Sequence, residues 1–414
     1  MMAIKEKLVK KTMILQKILK IDLKYLLKGG FWLTAKQGVV SIFSLALTIG
    51  MANLLDKEIY GIFRYIISVA SVLMIASLSG ISTSIIESTA RGYEKTFFPA
   101  LKTCIKWGFL GGIASLLIAF YYYSRGNITL SIGFVIVSIF IPFFNSLNLY
   151  DAILVGRKDF RKSAIFCSIV QMTASIVLIL TLLKFNNLYV FLISYFLIFS
   201  VMRFIITIIS TKTIDKESEI DEENIKYGKH LSIMDIFGTL AKHIDKILVF
   251  NYIGAADLAI YAFATAPPEY VSSFLGNAKN LVFPKYASAD KKEIKKTLLR
   301  KMFLFTLVVF CTIILYIIFA PLVYNLIFPQ YGESIFYSRI FAISLITVIG
   351  TLPLSLLQAE KKIMSLYKYN TIIPFISIII LFFSVQFGLF GIILGRVITR
   401  YVNLIYVTYL AKKD

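Results

Sequence analysis

The run FGTLAKHIDKILVFNYIGAADLAIYAFA, residues Phe237 to Ala264, reads in two halves. The first half has the length and apolar content of a membrane helix. Yet it carries Lys242, His243, Asp245 and Lys246, with Asp235 two residues upstream. The second half turns at Gly254 and enters another apolar run. A lysine facing hydrocarbon costs a few kcal/mol or more. These charges must therefore face a wet cavity or another helix.

The flanking sequence sets the class. The chain has 414 residues, of which 58% are hydrophobic and 16% charged, and its mean hydropathy is +0.79. Soluble domains carry roughly a quarter charged residues. Apolar runs long enough to cross a bilayer recur from Gly30 onward. They place twelve spans, including the second at 61–84, the fourth at 129–150, the seventh at 230–253, the eighth at 257–281, the tenth at 335–357 and the twelfth at 389–411.

The net charge of +21 invites a nucleic-acid reading, but no RNA-recognition or helix-turn-helix pattern accompanies it. Most of the 44 lysines and arginines stand in alternate short loops, while the opposite loops hold only Lys57, Arg64, Arg125, Lys184 and Arg339. That asymmetry puts both termini in the cytoplasm. Cys104, Cys167 and Cys311 show no paired spacing, and two histidines are too few for a typical His-based metal site. No cofactor or metal is expected.

Residues 1–29 form a basic segment in which Ile14, Ile18, Ile21 and Tyr25 make one stripe and Lys10, Lys17 and Lys24 another. This is the pattern of an amphipathic helix on anionic lipid. Residues 211–229 form an acidic cytoplasmic linker with six spans on either side. A short repeat supports that division: DKEIYG at Asp56–Gly61 and DLAIYA at Asp257–Ala262 share D-x-x-I-Y, each following the first span of its half. The expected architecture is an all-α polytopic membrane protein. Twelve transmembrane helices form an N-lobe at 30–210 and a C-lobe at 230–414, related by a pseudo-twofold along the membrane normal.

Three stretches carry a resemblance. LDKEIYGIFRYIISVASVLMIASLSGISTSIIESTAR (Leu55–Arg91), HIDKILVFNYIGAADLAIYAFA (His243–Ala264) and FGLFGIILGRVITR (Phe387–Arg400) occur in order along the chain. They resemble the polysaccharide biosynthesis or O-antigen flippase family, within the multidrug, oligosaccharidyl-lipid and polysaccharide exporter superfamily. Leu55-Asp56 stands where Gly-Pro is common in that family, and Ala259 where Gly is common. The resemblance implies a transporter of the bacterial cytoplasmic membrane. It would move polyprenyl-diphosphate-linked oligosaccharide to the outer leaflet by alternating access. Expected partners are this lipid-linked glycan, membrane lipids, and a glycan polymerase and glycosyltransferases, with the chain itself a monomer.

The intramembrane charges suit such a cargo. On one continuous seventh helix, Asp235, Lys242 and Lys246 share a face, and Lys242 lies about 18 Å from the cytoplasmic end. Arg396 and Arg400 are one turn apart on the twelfth span. Lys36 and Arg203 are shallower. Cations one turn apart match a diphosphate, which Arg holds bidentately and Lys as a point charge. Candidate substrate-binding residues are thus Lys242, Arg400, Arg396, Lys246, Lys36 and Arg203, with Lys242 ahead of Lys246. Glu269 and Asp235 are candidate counter-ions, or sites coupling transport to a proton or sodium gradient. Pro267-Pro268, just before Glu269, should break or kink the eighth span. The ordinary alternative is mutual pairing: Lys242 or Lys246 with Asp245, and the arginines with Glu269 and Asp235.

A drug or cation exporter of the same superfamily would want an acidic pocket. Here six basic residues face Asp235, Asp245 and Glu269, which favours an anionic cargo. A membrane glycan-processing enzyme would need a loop bearing acid–base or metal-binding carboxylates. The outer loops are short and no D-x-D occurs, so the chain is not expected to be an enzyme.

Overall fold

A computed structural model describes residues 23–185, 187–215, 217–276, 291–360 and 362–413. The basic stretch expected to lie on the membrane surface falls, up to residue 22, outside these. Every regular element among the described residues is helical. The first lobe is α1 (Leu23–Leu54), α2 (Lys57–Leu73), α3 (Ile81–Ala90), α4 (Phe97–Ser124), α5 (Ile128–Phe144), α6 (Leu149–Gly156), α7 (Phe160–Lys184) and α8 (Leu188–Thr211). A connecting helix, α9 (Glu222–Met234), follows. The second lobe is α10 (Ile236–Tyr252), α11 (Ala255–Gly276), α12 (Lys291–Ile327), α13 (Ser334–Ala342), α14 (Thr351–Ala359), α15 (Ile363–Ser384) and α16 (Gly388–Lys413).

Nine segments among the described residues are long and apolar enough to cross a membrane, and the last of them, Met364–Lys413, contains both α15 and α16. The expected twelve spans would need α10 and α11 as well. Three expected spans are each two helices in series. The second breaks after the 3-10 turn Met74–Ser77, where Leu78 takes φ 59°, a left-handed conformation that a leucine rarely adopts. The fourth breaks just past Pro142, at the 3-10 turn Ser146–Asn148. The tenth is parted by eight 3-10 residues, Ile343–Gly350.

The eighth span is not broken at its prolines, one of the two outcomes expected of them. α11 runs without interruption through Pro267 and Pro268. Pro267 has no N–H to offer the carbonyl of Phe263, four residues back. The buried hydroxyl of Tyr324 donates to that carbonyl at 2.7 Å instead, so the helix loses no satisfied acceptor there.

The lobes meet where α2 packs against α10 and α11. A Cβ on Gly61 would collide with the Ala255 carbonyl, so only glycine permits this approach. Tyr60, 2% exposed, lies with its ring 4.7 Å from that of Phe263, which in turn lies 3.9 Å from that of Tyr331. Tyr65 stacks on Phe250 at 3.9 Å. Asn53 Nδ2 donates to the Ile327 carbonyl at 3.0 Å, and Lys57 pairs with Glu333 at 3.4 Å. All of these contacts lie toward the end of the bundle where α1 turns into α2.

The segment read as a linker is more ordered than that word suggests. α9 is docked on α3. Asn224, 6% exposed, donates to the Ser84 carbonyl at 2.9 Å and to Ser88 Oγ at 2.6 Å, while Ser84 Oγ donates to the Asn224 carbonyl at 2.7 Å. The Gly80 N–H donates to Ser232 Oγ at 2.9 Å. A Cβ on Gly228 would come within 2.8 Å of Ser84 Cβ. The helix expected to begin at residue 230 therefore begins at Ile236, because 222–234 belongs to a separate helix held by the first lobe. Asn224→Ala would leave the Ser84 carbonyl and Ser88 hydroxyl short of a donor in a buried site, at about 1–3 kcal/mol. Limited trypsinolysis of the solubilised protein should then cut faster at Lys226 and Lys229. An unchanged cleavage rate would show that these hydrogen bonds do not hold α9 in place.

Candidate functional site

A cavity of about 240 Å³ lies at the junction of the lobes. Arg64 of α2 lines it from the first lobe. Asp245 and Lys246 of α10, Tyr261, Thr265, Glu269 and Tyr270 of α11, Phe341 of α13 and Arg396 of α16 line it from the second. The Tyr270 and Thr48 hydroxyls share a hydrogen bond at 3.3 Å across the lobes.

Asp245 is the anchor of the polar wall. It is 2% exposed. Its carboxylate accepts from the Tyr261 hydroxyl at 2.6 Å and from the Lys246 backbone N–H at 2.8 Å. Arg396 Nε stands 3.5 Å away and Lys246 Nζ 3.9 Å away. Arg396 also donates to the Ala241 carbonyl at 3.0 Å, which ties α16 to α10. One turn on, Arg400 donates to Glu269 and to Ser344 Oγ, the latter at 3.2 Å. Its guanidinium lies 4.5 Å from the Phe341 ring centroid. The C-lobe cations are thus tied to carboxylates from α10 and α11. Arg64 differs. Its Nε is buried without a hydrogen-bond partner, and it forms no ion pair among the described residues.

The structure gathers Lys246, Arg396, Arg400 and Glu269 in one place. The other candidates lie elsewhere. Lys242 is exposed and outside the cavity lining. It sits six residues into α10, about 9 Å from the helix start rather than 18 Å. Lys36 is bound within the first lobe, 2.6 Å from Asp151 and 3.2 Å from Ser163 Oγ. Arg203 donates to the Phe144 carbonyl at 2.6 Å, between the rings of Phe144 and Phe199. Asp235, at the α9–α10 junction, accepts from Thr239 Oγ1 at 3.2 Å and Ser79 Oγ at 3.5 Å, and meets neither arginine. The pairing of Arg396 is with Asp245 instead.

Several lining residues escaped the sequence reading, Arg64 and Tyr261 among them. Arg64 counts there with the outer loops, yet α2 starts at Lys57 and carries it two turns inward. A signal was present: Arg64 follows Tyr60 by four residues, as Thr265 follows Tyr261, and both line the cavity. Tyr261, the repeat tyrosine itself, orients Asp245.

The sequence profile of the family described as polysaccharide biosynthesis protein matches residues 26–285. No curated protein matches the chain significantly. Among solved structures, an inward-facing multidrug resistance MATE family transporter of the MOP superfamily shares the fold at TM-score 0.66 and 14% identity, over 92% of this chain and 97% of that one. An outward-facing structure from that family gives 0.62 and 14%, covering 94% and 95%. A MOP superfamily transporter from Pyrococcus furiosus gives 0.59 and 16%, covering 94% and 95%.

Removing Asp245 would leave buried Arg396 and Lys246 facing each other without their shared anion. Breaking a buried pair in this way costs about 3–5 kcal/mol. Asp245→Ala should therefore lower the thermal midpoint of the solubilised protein far more than Lys242→Ala, which should change it little. Equal midpoints for the two variants would contradict the anchoring role.

Proposed function

This chain belongs to the polysaccharide biosynthesis protein family, and on that premise we propose that it flips polyprenyl-diphosphate-linked oligosaccharide from the cytoplasmic to the outer leaflet. It is a multi-pass integral membrane protein with a MOP-type transporter fold. The observation that carries the proposal is the charge of the cavity wall. Arg64, Lys246 and Arg396 line it against Asp245 and Glu269, an excess of positive charge at the lobe interface. For the Pyrococcus furiosus protein, a reversed polarity of the binding pocket is what suggests a different function. Here the positive excess favours an anionic cargo over the cations that a drug exporter would carry.

The cavity is smaller than the roughly 300–1,000 Å³ of typical ligand pockets. It suits a phosphate-bearing head, and the glycan would occupy space that opens as the lobes separate. The lobe contacts cluster at the α1–α2 end, so separation starts from the opposite end. With both termini in the cytoplasm of a bacterial cell, that opposite end is cytoplasmic and this state is poised to load. Glu269, paired with Arg400 yet with a side chain 46% exposed, is the candidate for exchange with a coupling proton or sodium ion. Glycosyltransferases would supply the cargo and a polymerase would consume it.

The geometry moves the expectation for the critical lysine from Lys242 to Lys246. Cells carrying Lys246→Gln or Arg396→Gln should lose most of their surface polysaccharide while the protein still inserts. Lys242→Gln should lose little. Full surface polysaccharide in both cavity variants, measured by glycan staining of intact cells, would overturn the assignment. Export of a cationic drug by the unmodified protein, lost in the same variants, would favour the exporter reading.

A further inference from the structure

We infer that Pro267 and Pro268 make a hinge in α11, and that the Tyr324 hydroxyl is the latch that keeps it straight. A bend there resets Glu269 and Tyr270. Only the use of that bend in export rests on the transport reading above.

The two prolines remove two successive rungs of the helix. Pro267 cannot donate to the Phe263 carbonyl, nor Pro268 to that of Ala264. Sharp kinks in helices occur mostly at prolines. Yet α11 is continuous from Ala255 to Gly276. Hydroxyl groups surround the weakened turn. Tyr324 donates to the Phe263 carbonyl at 2.7 Å, and Ser334 Oγ to the Ile260 carbonyl at 3.0 Å. Thr265 Oγ1 donates back to the Tyr261 carbonyl at 3.0 Å, a bond that by itself favours bending. Of these three, only the Tyr324 bond stands in for a rung that a proline has removed. Tyr324 and Phe263 are both fully buried, so bulk water does not substitute for the hydroxyl. Tyr324 also belongs to another helix, three residues before the end of α12. Its hold on α11 therefore depends on how the two helices sit.

The two halves of α11 differ as a hinge requires. Residues 258–265 are all buried, and the Phe263 ring lies 4.7 Å from that of Tyr60 in the first lobe. None of residues 269–276 is buried. Two polar ties hold that far half, Glu269 to Arg400, and the Tyr270 hydroxyl to Thr48 Oγ1 at 3.3 Å. Glu269 and Tyr270 stand two and three residues beyond Pro267. A bend at the prolines leaves the aromatic seam in place and changes both ties. With the Tyr324 hydroxyl bound, the straight form is favoured. Withdrawing it shifts the balance toward the bent one.

The test is amide hydrogen exchange, read by mass spectrometry, on the full-length protein in nanodiscs. It needs no cargo. Tyr324→Phe removes the hydroxyl and keeps the ring. Amides of residues 269–276 should then exchange about tenfold faster, as a buried carbonyl loses its donor, while those of 258–265 change little. Pro267→Ala supplies an N–H for the same carbonyl. The double variant Tyr324→Phe/Pro267→Ala should therefore return to within about twofold of the unmodified protein, a rescue that a packing role for Tyr324 would not give. Unchanged exchange in Tyr324→Phe, equal acceleration on both sides of the prolines, or no rescue in the double variant would each overturn the latch. If Tyr324→Phe does not fold, Pro267→Ala decides alone. Slower exchange at 269–276 is then the expected result, and unchanged exchange the overturning one. In cells, Pro267→Ala should insert normally yet lose most of the surface polysaccharide. Full surface polysaccharide in that variant would overturn the use of the hinge in export. The export reading itself is judged separately, by surface polysaccharide in cells deprived of the chain.

Discussion

The backbone contact of Gly61 with the Ala255 carbonyl governs much of this molecule. Helices from two lobes can touch this closely only where one lacks a side chain. Once they do, register follows. Tyr60 meets Phe263 about two turns into α11, and Tyr65 reaches Phe250 and Asn251 near the end of α10. The two D-x-x-I-Y stretches are thereby set on either side of one seam. The residues four positions beyond their tyrosines, Arg64 and Thr265, come to line one cavity. A steric permission at one end of the interface thus places a charge farther along it.

Electrostatics then divides the labour between lobes. The C-lobe wall pairs its own charges, three cations against two carboxylates. Asp245 gathers Tyr261, Arg396 and Lys246, and Glu269 takes Arg400. These pairs allow arginines to sit inside the membrane region at all, since an unpaired one would be expensive there. The N-lobe makes the same provision for Lys36, through Asp151 and Ser163, but not for Arg64. Among the described residues the cavity thus meets a cation without an ion pair on one lobe and a carboxylate-paired set on the other.

Much of this was legible in the residues. Hydropathy and span length give the all-helical membrane class, and the D-x-x-I-Y repeat marks the two lobes. The four-residue spacing of Arg396 and Arg400, with Glu269 on another span, reaches the C-lobe wall. Other features were not legible, for identifiable reasons. Lys242 and Lys246 differ by only about 40° around the helix, so periodicity cannot tell which one faces inward. Tertiary packing decides. The stretch from Glu222 to Tyr252 has no proline to announce that α9 and α10 are separate helices, so the sequence reading counts the depth of Lys242 from residue 230 instead of Ile236. Arg64 lay close to a loop and read as a surface charge, because hydropathy counts residues and does not see which way α2 leans. The acceptor that Pro267 leaves free is met by Tyr324, some sixty residues away in sequence, a partner that no local rule could supply.

The docking of α9 adds a mechanical consequence. Hydrogen bonds from Asn224 and Ser84, the bond from the Gly80 N–H to Ser232, and the close packing at Gly228 attach this helix to α3. Upstream, Asp221 pairs with Arg91 and accepts no freedom from the acidic stretch that precedes it, since its N–H is bound to Thr96 Oγ1. The connecting segment is therefore part of the first lobe's packing. The chain leaves it where α9 ends and α10 begins, around Asp235, which holds Ser79 and Thr239 by long side-chain hydrogen bonds. Asp245 and Lys246 lie about three turns beyond that junction. The junction and the anchored charges of the cavity wall thus share one short helix of 17 residues.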